Sequence, residues 1–265
     1  MKYYFLSGIP RAGNTILSSI LNQNKDIGVS ANSIVAETLY KLDEWKKSDV
    51  AFNNFPDEKS YECMMASILP SYYSQWNQTY IIDRGTWGTP DNFSLLQRFC
   101  PNSIKIVCLV RDIEDVFRSW IDWSNRNPDN YINRITNNGS IEEKFDYLFH
   151  PHNQIVKSIL SVYTLMQRDP NGENHIIVDY DDIINDPKKE IDKIYQFLDI
   201  PSYTHNFKKI KQFKINNVNY DDSSLGRDLH TLHSNSISKR SYHIDVPQHL
   251  INKCKDLNVW SNWDK

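Results

Sequence analysis

The chain has 265 residues, 40% hydrophobic and 24% charged, enough for one sizeable core and read here as a single domain spanning 1–265. A formal net charge of −3 argues against a nucleic-acid binder or a basic membrane-surface protein. No run of about 18 apolar residues occurs, so no membrane span is expected.

The first β-type run is Tyr3–Ser7, and the stretch SGIPRAGNT (7–15) follows it at once. The segment NTILSSILNQN then sets Ile16, Leu17, Ile20 and Leu21 on one face, the spacing of an amphipathic helix. Further strand patterns fall at Thr79–Asp83, Ile104–Val110 and His175–Tyr180. All are nearly continuous in apolar or β-branched residues, as in strands covered on both faces. Helical periodicity returns in NQIVKSILSVYTLMQ (Ile155, Ile159, Val162, Met166) and in PKKEIDKIYQFLDIP (Ile191, Ile194, Tyr195, Leu198). Strands alternating with helices predict an α/β fold, a central parallel sheet flanked by helices in three layers. Two stretches rich in turn formers, 124–140 and 216–228, read either as lids or acceptor-binding loops or as plain surface connections.

The four cysteines show no C-x-x-C spacing and read as reduced thiols, and no signal peptide is visible at the N-terminus. Both readings favour a cytoplasmic location. The pairs His230/His233 and His150/His152 lack a supporting cysteine or carboxylate cluster, so no metal site is expected. Trp87, Trp120 and Trp123 are candidates to line a pocket, with core packing as the alternative.

SGIPRAGNT has the spacing of a phosphate loop: Gly8 and Gly13 separated by four residues, Thr15 two further on. Backbone N–H groups at a strand–turn–helix junction converge on one point, and the helix dipole adds positive charge there. Gly8, Pro10, Arg11, Ala12, Gly13, Asn14 and Thr15 are therefore candidate anion-binding residues. The lysine of a nucleotide triphosphatase is missing; Asn14 takes its place, and the loop's one cation is Arg11. Arg111 emerges where the strand 104–110 ends, and Ser119 lies eight residues later, two turns into a following helix. The pair suits a second anion, although an Arg–Asp structural ion pair at the strand end is the alternative reading.

Together these two segments resemble the sulfotransferase family. In that likeness the loop is the site for the 5′-phosphosulfate of 3′-phosphoadenosine 5′-phosphosulfate (PAPS), and Arg111 with Ser119 holds the 3′-phosphate. VDYDDIINDPKKEIDKIYQFLDIP resembles the family's tyrosine-bearing segment, with Tyr180 in the matching place. LHTLHSNSISKRSYHIDVP resembles the segment that folds over the nucleotide, with Lys239 and Arg240 as its cations. The resemblance implies a P-loop-like fold and a metal-free enzyme that moves a sulfuryl group to a hydroxyl, phenol or amine. The acceptor would be a small molecule, a glycan or a peptide.

The same likeness makes Arg11 the residue that stabilises charge on the leaving oxygen. It leaves the general base open, because the glutamate used by tyrosylprotein sulfotransferases falls on Asn32. Asp83, Glu37 and His230 are the candidate bases, and Arg84 is a candidate second cation on the sulfuryl group. The alternatives are a structural salt bridge for Asp83–Arg84, an exposed helical glutamate for Glu37 and a phosphate contact for His230. Two other functions compete: a phosphate-loop nucleotide kinase, with Asp83 or Asp179 serving magnesium, and a nucleotide-binding protein without catalysis.

Overall fold

The computed structural model describes residues 1–100, 103–215, 218–232, 236–261 and 263. The chain opens with β1 (Lys2–Leu6), α1 (Asn14–Leu21), β2 (Ile27–Val29), α2 (Val35–Ser48), α3 (Val50–Asn54) and α4 (Glu58–Tyr72). It continues with β3 (Tyr80–Arg84), α5 (Pro90–Phe99), β4 (Ile106–Val110), α6 (Ile113–Arg126), α7 (Tyr131–Ile135) and α8 (Ile141–Leu148). The last elements are α9 (Gln154–Arg168), β5 (His175–Asp179), α10 (Tyr180–Asn185), α11 (Pro187–Leu198) and α12 (Gln248–Asp256).

The strands form one parallel sheet in the order β2-β3-β1-β4-β5, with helices packed around it. β4 is buried along its whole length and β1 over its last three residues, as their near-continuous apolar runs require. Phe5, Leu6, Trp87, Val107 and Phe117 belong to the core that joins sheet and helices. The predicted strands at 3–7, 79–83, 104–110 and 175–180 all exist, shifted or shortened by one or two residues. β2 is additional: three residues with a central glycine present no periodicity to read. The stretch 124–140 is also more regular than its turn formers suggest, since it closes α6 and contains α7. Asn130 supplies the N-cap of α7 by accepting from the Asn133 N–H.

Register decides where the site lies. Leu6 pairs with Arg84, and Val110 with Asp179, so the carboxyl ends of β1, β3, β4 and β5 share one edge of the sheet. The chain proceeds from β1 toward β2 and β3 on one side, and crosses to β4 and β5 on the other. The crevice outside the strand ends at such a reversal is where open α/β sheets bind ligands. The loop after β1 and the loop after β4 flank it, and Ile9 N–H ties the first of them to the Leu109 carbonyl of β4 at 2.9 Å.

The loop 7–13 turns sharply enough to need two left-handed residues, Arg11 at φ 70° and Gly13 at φ 90°. A Cβ on Gly13 would stand 2.4 Å from the Tyr180 ring. Gly13→Ala therefore meets both a strained φ and a ring that must move. We expect it to lower stability by roughly 1–3 kcal/mol in a urea titration, the range for one forced backbone conformation.

Candidate active site

A cavity of about 500 Å³ opens at this carboxyl edge. Its walls include Pro10, Arg11, Gly13, Asn14 and Thr15 from the first loop, Arg84 from β3, Arg111, and Ser119 with Trp120 from α6. Tyr180 opens α10 beside it, and the irregular C-terminal segment adds Leu229, His230, Lys239, Arg240 and Tyr242. Among the described residues that line it, five side chains are arginine or lysine and none is a carboxylate. A chain of net charge −3 thus still sets five cations around one space.

The arginines are built in rather than draped over the surface. Arg111 is only 3% exposed; its Nη2 donates to Asp115 at 3.1 Å and its Nη1 to the Arg11 carbonyl at 3.4 Å. Its guanidinium lies 4.6 Å from the Tyr180 ring centre and 5.6 Å from that of Tyr242. The Nε of Arg111 is buried without a hydrogen-bond partner among the described residues. A buried donor left open is costly unless a ligand completes it.

Arg11 donates from Nε to Ser119 Oγ at 3.1 Å and from Nη1 to the Leu229 carbonyl at 2.5 Å, above the Trp120 ring. Burial, with Arg240 and Arg111 nearby, pulls its guanidinium down to about 10, against an opposing effect of Tyr242. It remains charged at neutral pH, so its neighbours leave a repulsion that an anion would offset. Lys239 pairs with Asp181 at 2.8 Å and Arg240 with Asp122 at 3.1 Å, which tethers both at the cavity wall.

Asn14, at the position of the missing lysine, is turned inward. Its Nδ2 donates to the Ile9 carbonyl at 2.7 Å, and a Cβ on Gly8 would fall 1.7 Å from its Oδ1. Gly8 and Ala12 accordingly shape the loop from below without lining the cavity. Arg84 reaches the opposite wall, where Nη1 donates to the Ala31 carbonyl and to the Tyr220 hydroxyl, each at 2.9 Å. Tyr220 stacks on His230, ring centres 4.3 Å apart and planes 5° from parallel. Asp222 accepts from the His230 backbone N–H at 2.9 Å and meets its Nδ1 at 2.6 Å.

Two of the three candidate bases are corrected by this geometry. Asp83 is fully buried under the sheet edge, bonded to the Tyr73 hydroxyl and, at 2.8 Å, to Trp87 Nε1. Burial pushes its carboxyl up, and no acceptor can reach it. Glu37 is exposed on α2, paired with Lys41 one turn on, and does not line the cavity. Of the tryptophans, Trp87 and Trp123 are wholly buried in the core, and Trp120 alone of the three faces the cavity. His233 lies outside the described residues. Among the described residues no cluster of His, Cys, Asp and Glu is placed to hold a metal, and no helix is long and apolar enough to cross a membrane. Sequence reasoning missed Tyr220, Asp222 and Tyr242; an aromatic two residues after the basic pair in SKRSY was the available signal for the last.

A family profile described as "Sulfotransferase domain" matches residues 2–243. A sequence search of curated proteins gives no match. Among solved structures, the sulfotransferase domain from the curacin biosynthetic pathway superposes with a TM-score of 0.57 at 14% identity, covering 100% of this chain and 91% of that one. The sulfotransferase domain from the Synechococcus PCC 7002 olefin synthase gives 0.56 at 14% identity, with 96% and 93% covered. A retinol dehydratase, solved in complex with androsterone and the inactive cofactor PAP, gives 0.51 at 15% identity, with 100% and 83% covered. At these identities the structural likeness concerns the fold.

The burial of Asp83 generates a test. Asp83→Ala leaves the Tyr73 hydroxyl and the Trp87 indole N–H unpaired in the core, at about 1–3 kcal/mol each. We expect a drop of roughly 2–6 kcal/mol in unfolding free energy, since both groups are affected. A general base removed from an open cavity would leave stability unchanged.

Proposed function

The chain belongs to the sulfotransferase family, and from that we propose how this cavity serves sulfuryl transfer from PAPS to an acceptor hydroxyl, phenol or amine. The observation that carries the proposal is the meeting of Arg11, Arg111 and Ser119 in one cavity that has five cations and no lining carboxylate. A doubly phosphorylated adenosine fits this donor set. The open Nε of Arg111 meets one phosphate, and the loop N–H groups and Thr15 meet the other. Tyr180, Lys239, Arg240 and Tyr242 close the Arg111 end, while Arg84 and His230 stand at the acceptor end.

PAPS supplies a sulfuryl group on a good leaving phosphate, so the protein's task is alignment and charge stabilisation. Arg11 and Arg84 hold positive charge where negative charge develops on the bridging oxygen and rests on the sulfuryl oxygens. His230 faces the same space as the surviving candidate base. The kinase reading lacks its chemistry here: Asn14 braces the loop rather than reaching outward, Asp83 is tied inside the core, and Asp179 caps α10 outside the lining set. We place the reaction in a reducing, cytoplasmic compartment, a reading supported by cysteines that form no disulfide among the described residues, Cys108 and Cys254 being core residues. Small molecules, glycans and peptides all remain acceptors for this reading.

Calorimetry and thermal shift test it. Adenosine 3′,5′-bisphosphate (PAP) at a hundred times its Kd should add about 2.7 kcal/mol of stability, and ATP with magnesium should add little. Arg111→Ala should weaken PAP at least tenfold. Loss of a charge-stabilising donor costs about 2.7–4 kcal/mol, so Arg11→Ala should cut PAPS turnover about a hundredfold or more with the fold intact. Turnover within a few-fold of wild type would remove Arg11 from the role.

A further inference from the structure

The irregular segment between α11 and α12 contains an arrangement that nucleotide binding does not use. Asp222 sits in a tight turn, its carbonyl accepting from the N–H groups of Leu225 (3.0 Å) and Gly226 (2.9 Å). That turn is pinned to α6: Trp123 Nε1 donates to the Arg227 carbonyl at 2.7 Å, and a Cβ on Gly226 would stand 2.7 Å from the Trp123 ring. From this fixed point the Asp222 carboxylate grips His230 twice, at the backbone N–H and at ring Nδ1. An ionised carboxylate only accepts, so Nδ1 carries the proton, and the neutral ring presents its lone pair at Nε2. That nitrogen makes no hydrogen bond to another described residue, and His230 lines the cavity.

The ring plane is fixed independently. Tyr220 stacks face to face on the imidazole, and its hydroxyl donates to the Ala31 carbonyl at 3.0 Å while accepting from Arg84. Phe213 abuts Tyr220 edge-on at 5.8 Å. Gln212 closes the segment by donating to the His230 carbonyl at 3.1 Å and accepting from the Leu232 N–H at 2.9 Å. Four contacts thus determine the direction of one nitrogen.

Resting on the sulfotransferase reading above, we infer that His230 is the catalytic base and that Asp222 and Tyr220 are its positioning residues, aiming Nε2 at the acceptor's X–H. In the step, the acceptor oxygen or nitrogen bonds to sulfur and its proton passes to Nε2. The bond from sulfur to the bridging oxygen breaks, and its electron pair stays on the departing PAP. The histidine then returns its proton to solvent.

The charges around the ring agree with a base rather than a phosphate contact. Burial lowers the His230 pKa below its ordinary value, Asp222 opposes this, and Arg84 and Arg11 lower it further. The net direction is toward the neutral ring. A neutral ring offers the cavity a lone pair, which repels an anion and suits an O–H or N–H donor.

The test uses the full chain, PAP for binding, and ³⁵S-labelled PAPS with 2-naphthol and with water as acceptors. His230→Gln should reduce sulfuryl release to either acceptor by about 10²–10⁴-fold, the usual worth of a positioned base, with PAP affinity within about twofold. Asp222→Asn removes the charge that supports protonation, so the acidic limb of kcat/KM should move to lower pH while the plateau falls. Tyr220→Phe keeps the stack and should leave that limb in place; Tyr220→Leu should lower kcat without moving PAP affinity. In ¹⁵N spectra of the PAP complex at pH 7, His230 should show a bare Nε2. Release by His230→Gln within threefold of wild type, an unmoved limb in Asp222→Asn, or a proton on Nε2 each overturns the inference. PAP failing to bind wild-type protein is a different failure: it removes the nucleotide reading, and this inference with it.

Discussion

Like charges confined to a small space repel, and the carboxyl edge of this sheet holds five cationic side chains around one cavity with no lining carboxylate. Much else in the structure makes that concentration tolerable. Asp115, Asp122 and Asp181 stand behind Arg111, Arg240 and Lys239 as counter-charges, each outside the lining set. Tyr180 and Tyr242 give Arg111 aromatic faces, and Trp120 gives one to Arg11. These supports hold the guanidinium groups in place yet leave the space in front of them electropositive. The parallel register is what brings them together, because it sets the ends of β1, β3, β4 and β5 side by side.

The parts of this arrangement that were legible in the sequence are those encoded locally. A buried strand, a glycine turn and an apolar-periodic helix lie within 2–21, and each announces itself by composition and spacing. The same holds for β4 followed by Arg111 and the start of α6. What joined the two segments was a resemblance, since spacing cannot say that residues a hundred apart share a cavity. β2 escaped because three residues carry no period. Asp83 was misjudged for a related reason. Its position at a strand end was correctly read, but strand residues alternate sides, and its side chain turns into the core toward Trp87 while that of Arg84 turns toward the cavity.

The pairing of Asp222 with His230 was harder to foresee. The two lie eight residues apart in a segment without regular structure, and their contact depends on a turn anchored to Trp123. No helical or strand periodicity links them. His230 was recognisable as a titratable group in a segment that resembles the nucleotide cover; its orientation was not. The departure at Asn32, which weakened the case for catalysis, has a physical counterpart here. A chain without the expected glutamate still presents a candidate proton acceptor to the cavity, from the opposite end of the sequence.

The inward turn of Asn14 carries one last implication. With its amide clasped to the Ile9 carbonyl and the bare Cα of Gly8 pressed against it, the phosphate loop reaches its final curvature when the polypeptide folds. Little backbone freedom is then left to surrender when a nucleotide arrives, so the entropic penalty of association at this loop is small. Recognition there becomes a matter of electrostatic match alone, and selectivity among anions shifts to the side chains that rim the opening.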